Sequence, residues 1–285
     1  MRVGVIGLGR MGLSMALRLS DVGFEVLGWN RTRERGRPLE EAGGRLADSP
    51  SEVLSSCEVT LVSLSDEEAV REVLLRSGAL RRAGGRVVAD TTTVTPSFSE
   101  EAEREASGVG ASYLDAPVLG SVRQAREGTL SIMVGGSEEA LDRARPVLES
   151  LGRVFHVGPP GWGSRAKVLI NSMLISVVHV AAEGLALAEA MGLDPDLVRE
   201  IASEHVIGAV IGRYWPRMLS PGEARFSASL AAKDLLCALR TARRFGVPLP
   251  CCSAALQGFL AAVRDGLGEE DYTSVFRALR RGGPS

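Results

Sequence analysis

The sequence predicts an α/β domain with a mostly parallel sheet, followed by an all-helical domain. Three observations carry this. Strand and helix signals alternate from residue 2 to residue 158. A glycine-rich turn, GLGRMG at residues 7–12, sits between the first strand and the first helix. After GPPGWG (158–163) strand signals nearly stop and helical spacing takes over. The shift places a boundary near residue 160, giving domains 1–160 and 161–285.

RVGVI (2–6) reads as a short buried strand. MGLSMALRLSDVG (11–23) has helical spacing at Met11, Met15, Leu17 and Leu19, and Gly23 suits a C-cap. FEVLGWN (24–30) is a second strand and closes a strand–turn–helix–strand unit. EVTLVSL (58–64) and GRVVADT (85–91) are further strands, with DEEAVREVLL (66–75) as a helix between them. ASYLDAPV (111–118), TLSIMVGG (129–136) and RVFHVG (153–158) complete the strands. SEEALDRARPVLESL (137–151) is helical, with Ser137 as N-cap and Glu138 and Glu139 in the first turn, where acids complement the helix dipole. The second half predicts helices over 164–190, 194–203, 227–245, 251–265 and 270–281, punctuated by Gly192, Pro195, Pro221, Gly246, Pro248 and Pro250.

At 285 residues the chain is too long for most single cores, and its 45% hydrophobic and 24% charged content is that of a soluble globular protein. A net charge of −2 and 5% aromatic residues give no electrostatic or stacking basis for nucleic-acid or anionic-membrane binding. Residues 168–187 are long enough to span a bilayer, but Asn171, His179 and Glu183 interrupt them, so a buried core helix is expected. The apolar N-terminus is broken by Gly4, Gly7, Gly9 and Gly12, which argues against a signal peptide. Cys57, Cys237, Cys251 and Cys252 form no C-x-x-C pair and read as reduced thiols of a cytoplasmic protein. His156, His179 and His205 are too widely spaced for a ligand cluster, so no metal is expected.

The glycine loop carries the first functional signal. Gly7 permits the tight turn, Gly9 lets the backbone approach a pyrophosphate, and Gly12 lets the helix pack closely on the strand. The free N–H groups at the helix start then face the phosphates. Dinucleotide binding follows, with Gly7, Leu8, Gly9, Arg10, Met11 and Gly12 as the loop that holds the cofactor. At the end of the second strand an NAD site usually places an acid, whereas this chain has Asn30, Arg31 and Thr32. Arg31 can pair with a 2′-phosphate and Thr32 can donate to it, so NADP(H) is expected over NAD(H).

Several stretches match one family in order and spacing: GLGRMG, WNRT, DTTTVTP (90–96), DAPVLGS (115–121), GTLSIMVGG (128–136), GWGSRAKVLIN (161–171) and KDL (233–235). The chain resembles the β-hydroxyacid dehydrogenases, which include 3-hydroxyisobutyrate dehydrogenase and the glyoxylate/succinic semialdehyde reductases. The resemblance implies a Rossmann-type dinucleotide-binding domain, an all-α domain and a long interdomain helix. It implies that Lys167 is catalytic and Asn171 positions substrate. Ser63, Leu64 and Ser65 would line the cofactor cleft, and Thr93 would lie beside the nicotinamide ribose. Phe226, Lys233 and Asp234 would come from the helical domain to close the site, with Lys233 also reaching the cofactor. Homodimers or homotetramers are usual in the family.

The chemistry of these residues supports the roles. Hydride reduction of an aldehyde makes an alkoxide, which needs a proton and a nearby positive charge, and an ammonium group supplies both. A lysine beside an apolar helix is partly desolvated, which lowers its pKa toward a useful range. Asn171 falls four residues on, on the same helical face, and its amide can hydrogen-bond substrate and lysine. The apolar run that follows suits a helix packed on both sides.

One departure concerns the substrate. The family motif commonly reads DAPVSGG or DAPVSGS, and here Leu119 replaces the serine whose hydroxyl would donate to a carboxylate. The Gly120 N–H and Ser121 remain as donors, and the lost donor costs about one to a few kcal/mol where a charged acceptor stays buried. The substrate is therefore expected to be bulkier or more apolar than glyoxylate, or to carry its anion elsewhere. Arg123, Gln124 and Arg126 read as a solvated basic loop in preference to an anion site. The leading expectation is an NADPH-dependent, reversible reductase of a small aldehyde acid. Imine reduction and a catalytically inactive cofactor-binding scaffold are the alternatives, both of which would be expected to lose Lys167.

Overall fold

A computed structural model describes residues 1–280. The chain divides into two compact units, Met1–Lys167 and a second that begins at Val168. The first runs β1 (Arg2–Ile6), α1 (Arg10–Asp21), β2 (Glu25–Trp29), α2 (Arg37–Glu41), β3 (Arg45–Leu46), α3 (Pro50–Ser56), β4 (Val59–Val62), α4 (Glu67–Val70) and β5 (Val87–Asp90). It continues with α5 (Pro96–Gly108), β6 (Ser112–Asp115), β7 (Val118–Leu119), α6 (Val122–Glu127), β8 (Leu130–Gly135), α7 (Glu138–Leu151) and β9 (Gly152–Gly158).

Six strands pair in parallel in the order β3-β2-β1-β4-β5-β6. β8 then runs antiparallel to β6 and β7, and β9 pairs with it in parallel. β4 and β5 are buried along their whole length, as the inner strands of a sheet covered on both faces must be. Alternate residues sort to the two faces. Val3, Val5, Leu61 and Ala89 pack with Met15 and Leu19 of α1 and Leu148 of α7. Ile6, Val62 and Val88 pack with Leu54 of α3 and Phe98 and Ala102 of α5.

α8 (Trp162–Ala190) starts in the first unit and continues into the second, which adds α9 (Pro195–Ser203), α10 (Gly208–Leu219), α11 (Ala228–Arg244), α12 (Pro250–Ala262) and α13 (Val275–Arg280). Ile175, Val178, Ala182 and Leu185 of α8 pack with Trp215, Leu235, Phe259 and Tyr272. Trp215 donates its ring N–H to the Ala181 carbonyl at 2.8 Å, satisfying the polar end of a buried indole.

Several elements depart from expectation. α5 is polar apart from Phe98, Ala102 and Ala106, three buried residues one turn apart, so its short stripe is easily missed. α10 is masked by Gly208, Gly212 and Pro216, which tertiary packing of Ile211, Trp215 and Met218 overrides. The strand expected over 111–118 stops at Asp115, and β7 forms two residues later, past Pro117. The helix expected over 66–75 widens into a π-helical turn from Arg71 to Arg76. α12 gives way to a similar turn over Val263–Leu267, broken by Gly266 at φ 82°. The span 270–281 becomes a 3-10 turn, Tyr272–Ser274, and α13, with its last residue outside those described. α8 is not packed all round: Leu169, Met173, Val180 and Leu187 are 55–63% exposed.

His179 shows how tightly the second unit is packed. It is buried, its Nε2 finds no hydrogen-bond partner among the described residues, and burial lowers its pKa. A methyl group on Gly258 would lie 2.1 Å from that nitrogen. Gly258→Ala should destabilise the protein by about 1–3 kcal/mol through overpacking. Thermal melting checks this, and an unchanged midpoint would refute the packing account.

Candidate active site

The strand order reverses between β1 and β4, the point where open α/β sheets bind their ligands. The loops that leave these strands are the predicted Gly7–Gly12 turn and Ser63–Ser65. Gly7 has φ 95°, in the left-handed region. A methyl there would sit 2.2 Å from the Ser63 carbonyl oxygen, and one on Gly12 would sit 1.9 Å from the Gly7 carbonyl oxygen. A methyl on Gly9 would meet nothing within 4 Å, so open space lies in front of the α1 N-terminus. Arg10 is exposed and Met11 half-buried.

Asn30 and Leu8 serve this loop from within. Leu8 is buried in the core, and its N–H donates to Asn30 Oδ1 at 2.9 Å. Asn30 in turn donates to the Thr32 carbonyl at 2.8 Å, tying the glycine loop to the turn after β2. That turn carries the exposed Arg31 and Thr32, while neighbouring Arg33 is engaged with Asp48 at 3.1 Å. Residues 63–65 are tied to the loop after β5, where the Leu64 N–H donates to Thr92 Oγ1 at 3.1 Å. Ser65 is exposed and donates to Asp66. Half-buried Thr93 lies between Thr92, whose N–H donates to buried Asp90, and Thr95. Glu67 accepts from both the N–H and the hydroxyl of Thr95, at 3.1 and 2.6 Å, which pins the start of α5.

Lys167 is buried, and its Nζ donates to the Val118 carbonyl at 2.9 Å. Val118 precedes half-buried Leu119 and exposed Gly120. Ser121 is occupied in a capping box: Gln124 Oε1 accepts its N–H at 2.8 Å and lies 3.1 Å from its hydroxyl. The expected basic loop is instead helix α6, with Arg123 paired to Glu127 and Arg126 to Asp21. Local i, i+4 spacing explains the first pair, but Asp21 lies far back in the chain.

Sequence reasoning missed Asp115. Its carboxylate is 1% exposed at the end of β6. Oδ1 accepts the Gly161 N–H at 2.8 Å and Oδ2 the Ser164 N–H at 2.7 Å, so a strand residue caps α8. Ser164 also shares a 2.8 Å hydrogen bond with buried Ser99. A carboxylate inside an apolar strand was the available signal. Burial pushes the Asp115 carboxyl up to about 7, against the pull of the Ser164 and Gly161 N–H groups.

In the second unit, Asn171, Asp234 and Lys233 come together. Asn171 Nδ2 donates to Asp234 Oδ2 at 2.5 Å, and Lys233 Nζ pairs with Asp234 Oδ1 at 2.9 Å. Asp234 is 2% exposed. Phe226 is half-buried and packs edge-on against Tyr272 at 5.5 Å, joining the core of this unit.

The strand order, the glycine turn at the switch point and the open space before Gly9 are those of a dinucleotide-binding α/β domain. The family model for the NAD binding domain of 6-phosphogluconate dehydrogenase matches residues 2–158. A second, described as "NAD-binding of NADP-dependent 3-hydroxyisobutyrate dehydrogenase", matches residues 161–279. The chain is 31% identical over 283 residues to glyoxylate/succinic semialdehyde reductase 2 of Arabidopsis thaliana, covering 98% of this chain and 79% of that protein. It is 32% identical to the NAD-dependent L-serine dehydrogenase of Pseudomonas aeruginosa, covering 96% of each. A solved 3-hydroxyisobutyrate dehydrogenase of Mycobacterium tuberculosis matches with a TM-score of 0.87 at 28% identity, over 98% of this chain and 99% of that one. An imine reductase of Streptomyces aurantiacus matches with a TM-score of 0.66 at 28% identity, over 97% and 99%. The chain belongs to the β-hydroxyacid dehydrogenase family and is an NAD(P)-dependent oxidoreductase of the hydroxyacid dehydrogenase type.

Two outcomes follow from this geometry. Gly12→Ala should weaken dinucleotide binding by roughly tenfold or more, because helix and turn must separate to admit the methyl group; fluorescence titration reads this directly. Asp115 gives a pH signature. The folded chain keeps its proton to about 7 whereas an ordinary aspartate loses it near 3.8, so its contribution to stability is greatest below the lower value and declines as pH rises to the higher. Asp115→Asn abolishes that titration. The wild-type melting temperature should therefore fall relative to the variant's across this interval, and a constant gap would contradict the assignment.

Proposed function

We propose that this chain is an NADPH-dependent reductase of a small aldehyde acid, run reversibly as a hydroxyacid dehydrogenase, with Lys167 as general acid and base. The observation that carries this is the buried Lys167 ammonium, 2.9 Å from the carbonyl of the residue preceding Leu119. The open space before Gly9 and the α1 N–H groups fits a pyrophosphate. Residues 7–12 would hold it, Arg31 and Thr32 would take the 2′-phosphate, and Ser63, Leu64, Ser65 and Thr93 would flank the nicotinamide half. When bound, the cofactor supplies the hydride.

Lys167 gives its proton to the oxygen of the nascent alcohol, and its charge stabilises that oxygen as electron density builds. Hydrogen-bonding by Val118 orients the ammonium before substrate arrives. Asn171 has one N–H committed to Asp234, which leaves its carbonyl oxygen and second N–H for substrate. Leu119 offers an apolar contact where a serine would bind a carboxylate. Ser121 and Gln124 satisfy one another, and the neighbouring arginines are paired, which leaves the exposed Gly120 N–H and the apolar Leu119 to meet the substrate. Retention of Lys167 favours this reading over imine reduction. The exposed apolar face of α8 is proposed to be covered by a second copy of the chain, and four cysteines outside any disulfide support a cytoplasmic setting.

A panel of semialdehydes and β-hydroxyacids should show higher kcat/KM with NADPH than with NADH, and equal or better use of NADH would refute the cofactor assignment. Lys167→Ala should lower turnover by about a hundredfold or more with cofactor affinity nearly intact. Light scattering should give a mass at least twice that of the chain, and Met173→Glu should reduce it. A monomeric wild type would refute the role given to α8.

A further inference from the structure

We propose that Asp115 is a positioning residue for Lys167, fixing the ammonium by clamping the first turn of α8 to the end of β6. The inference rests on the reading of Lys167 as the acid. Helix α8 cannot cap itself. Its approach is Pro159, Pro160 and Gly161, none of which carries a side chain that can accept a hydrogen bond. The acceptors come instead from Asp115, whose two oxygens take the N–H groups of Gly161 and Ser164 at 2.8 and 2.7 Å. Three residues further along each segment, Lys167 donates to the Val118 carbonyl at 2.9 Å. The stretch 115–118 is thus strapped to 164–167 at both ends.

The neighbourhood is shaped to permit the clamp. A methyl group on Gly163 would lie 2.4 Å from the carbonyl oxygens of Asp115 and Met133, and one on Gly135 would lie 2.5 Å from Asp115 Oδ1. Glycines at both places let the helix start come within hydrogen-bond reach of the carboxylate. Asp115 is 1% exposed, so solvent cannot replace its acceptors when they are removed. A loosened helix start moves Nζ relative to the segment that carries Leu119, and displacements of about 1 Å cost about 100-fold in rate. Asp115 acts through the backbone of α8 and is not itself a catalytic residue.

The test is a double-mutant cycle of Asp115→Asn and Lys167→Ala, assayed with NADPH and the fastest semialdehyde of the panel. The asparagine keeps the volume but turns an N–H donor toward one of the two backbone donors. Asp115→Asn should lower kcat roughly 10- to 100-fold, with NADPH affinity changed little. In the Lys167→Ala background the same substitution should change kcat less than about twofold, because nothing is left to position. Effects that multiply, or an unchanged kcat in Asp115→Asn alone, would overturn the proposal. Full activity in Lys167→Ala would instead overturn the reading of Lys167 and take this inference with it. Should Asp115→Asn fold poorly, Asp115→Glu, which keeps the acceptors but moves them by one methylene, enters the cycle in its place with the same non-additive outcome expected.

Discussion

The first N–H groups of an α-helix have no partners within it, and burying them unpaired costs about 1–3 kcal/mol each. In this chain the start of α8 is buried at Gly161, Gly163 and Ser164, and a carboxylate delivered by the sixth strand satisfies it. The helix dipole and two N–H donors offset part of the burial penalty on the Asp115 carboxyl, which still holds its proton to about 7. Ser99 secures the same turn from α5. Lys167, one turn further on, inherits its position from this joint, and so does the Val118–Leu119 segment across from it.

The loops after β1, β2, β4 and β5 are held by the same device, a polar side chain that satisfies backbone groups of a different loop. Asn30 bridges the glycine turn and the turn after β2. Thr92 holds Leu64, and Glu67 holds Thr95. Glu67 itself lies near Arg71, which pairs with Glu101 of α5. These ties join loops that leave adjacent strands, where a parallel sheet gathers them at one edge. Rigid loops on a buried sheet suit a site that must present several groups in fixed relation.

Much of this was legible because the signals are local. The β1 strand, the glycine turn and α1 occupy consecutive residues, and the burial of β1, β4 and β5 is written directly in their short, nearly continuous apolar runs. Lys167 and Asn171 announce themselves by spacing on one helix. Other features depend on distant partners. Asp115 stood in a quoted motif, yet its role needs Gly161 and Ser164, which no pattern in 115–121 foretells. Arg126 looked like a free cation until α6 brought it to Asp21. α10 was hidden because its glycines and proline argue against a helix, and packing outweighed them. Phe226 packs on Tyr272, a contact set by the fold and not by its neighbours in sequence.

The proposed chemistry turns on one proton, that of Lys167 beside the Val118 carbonyl. The most direct test is the pH dependence of kcat/KM for aldehyde reduction in the wild type and in Lys167→Arg. A guanidinium keeps its charge far above the range where an ammonium is lost. The wild type should therefore lose activity as pH rises through the lysine's titration, and the residual activity of Lys167→Arg should lack that alkaline fall. The same fall in both proteins would contradict the assignment of Lys167 as the acid.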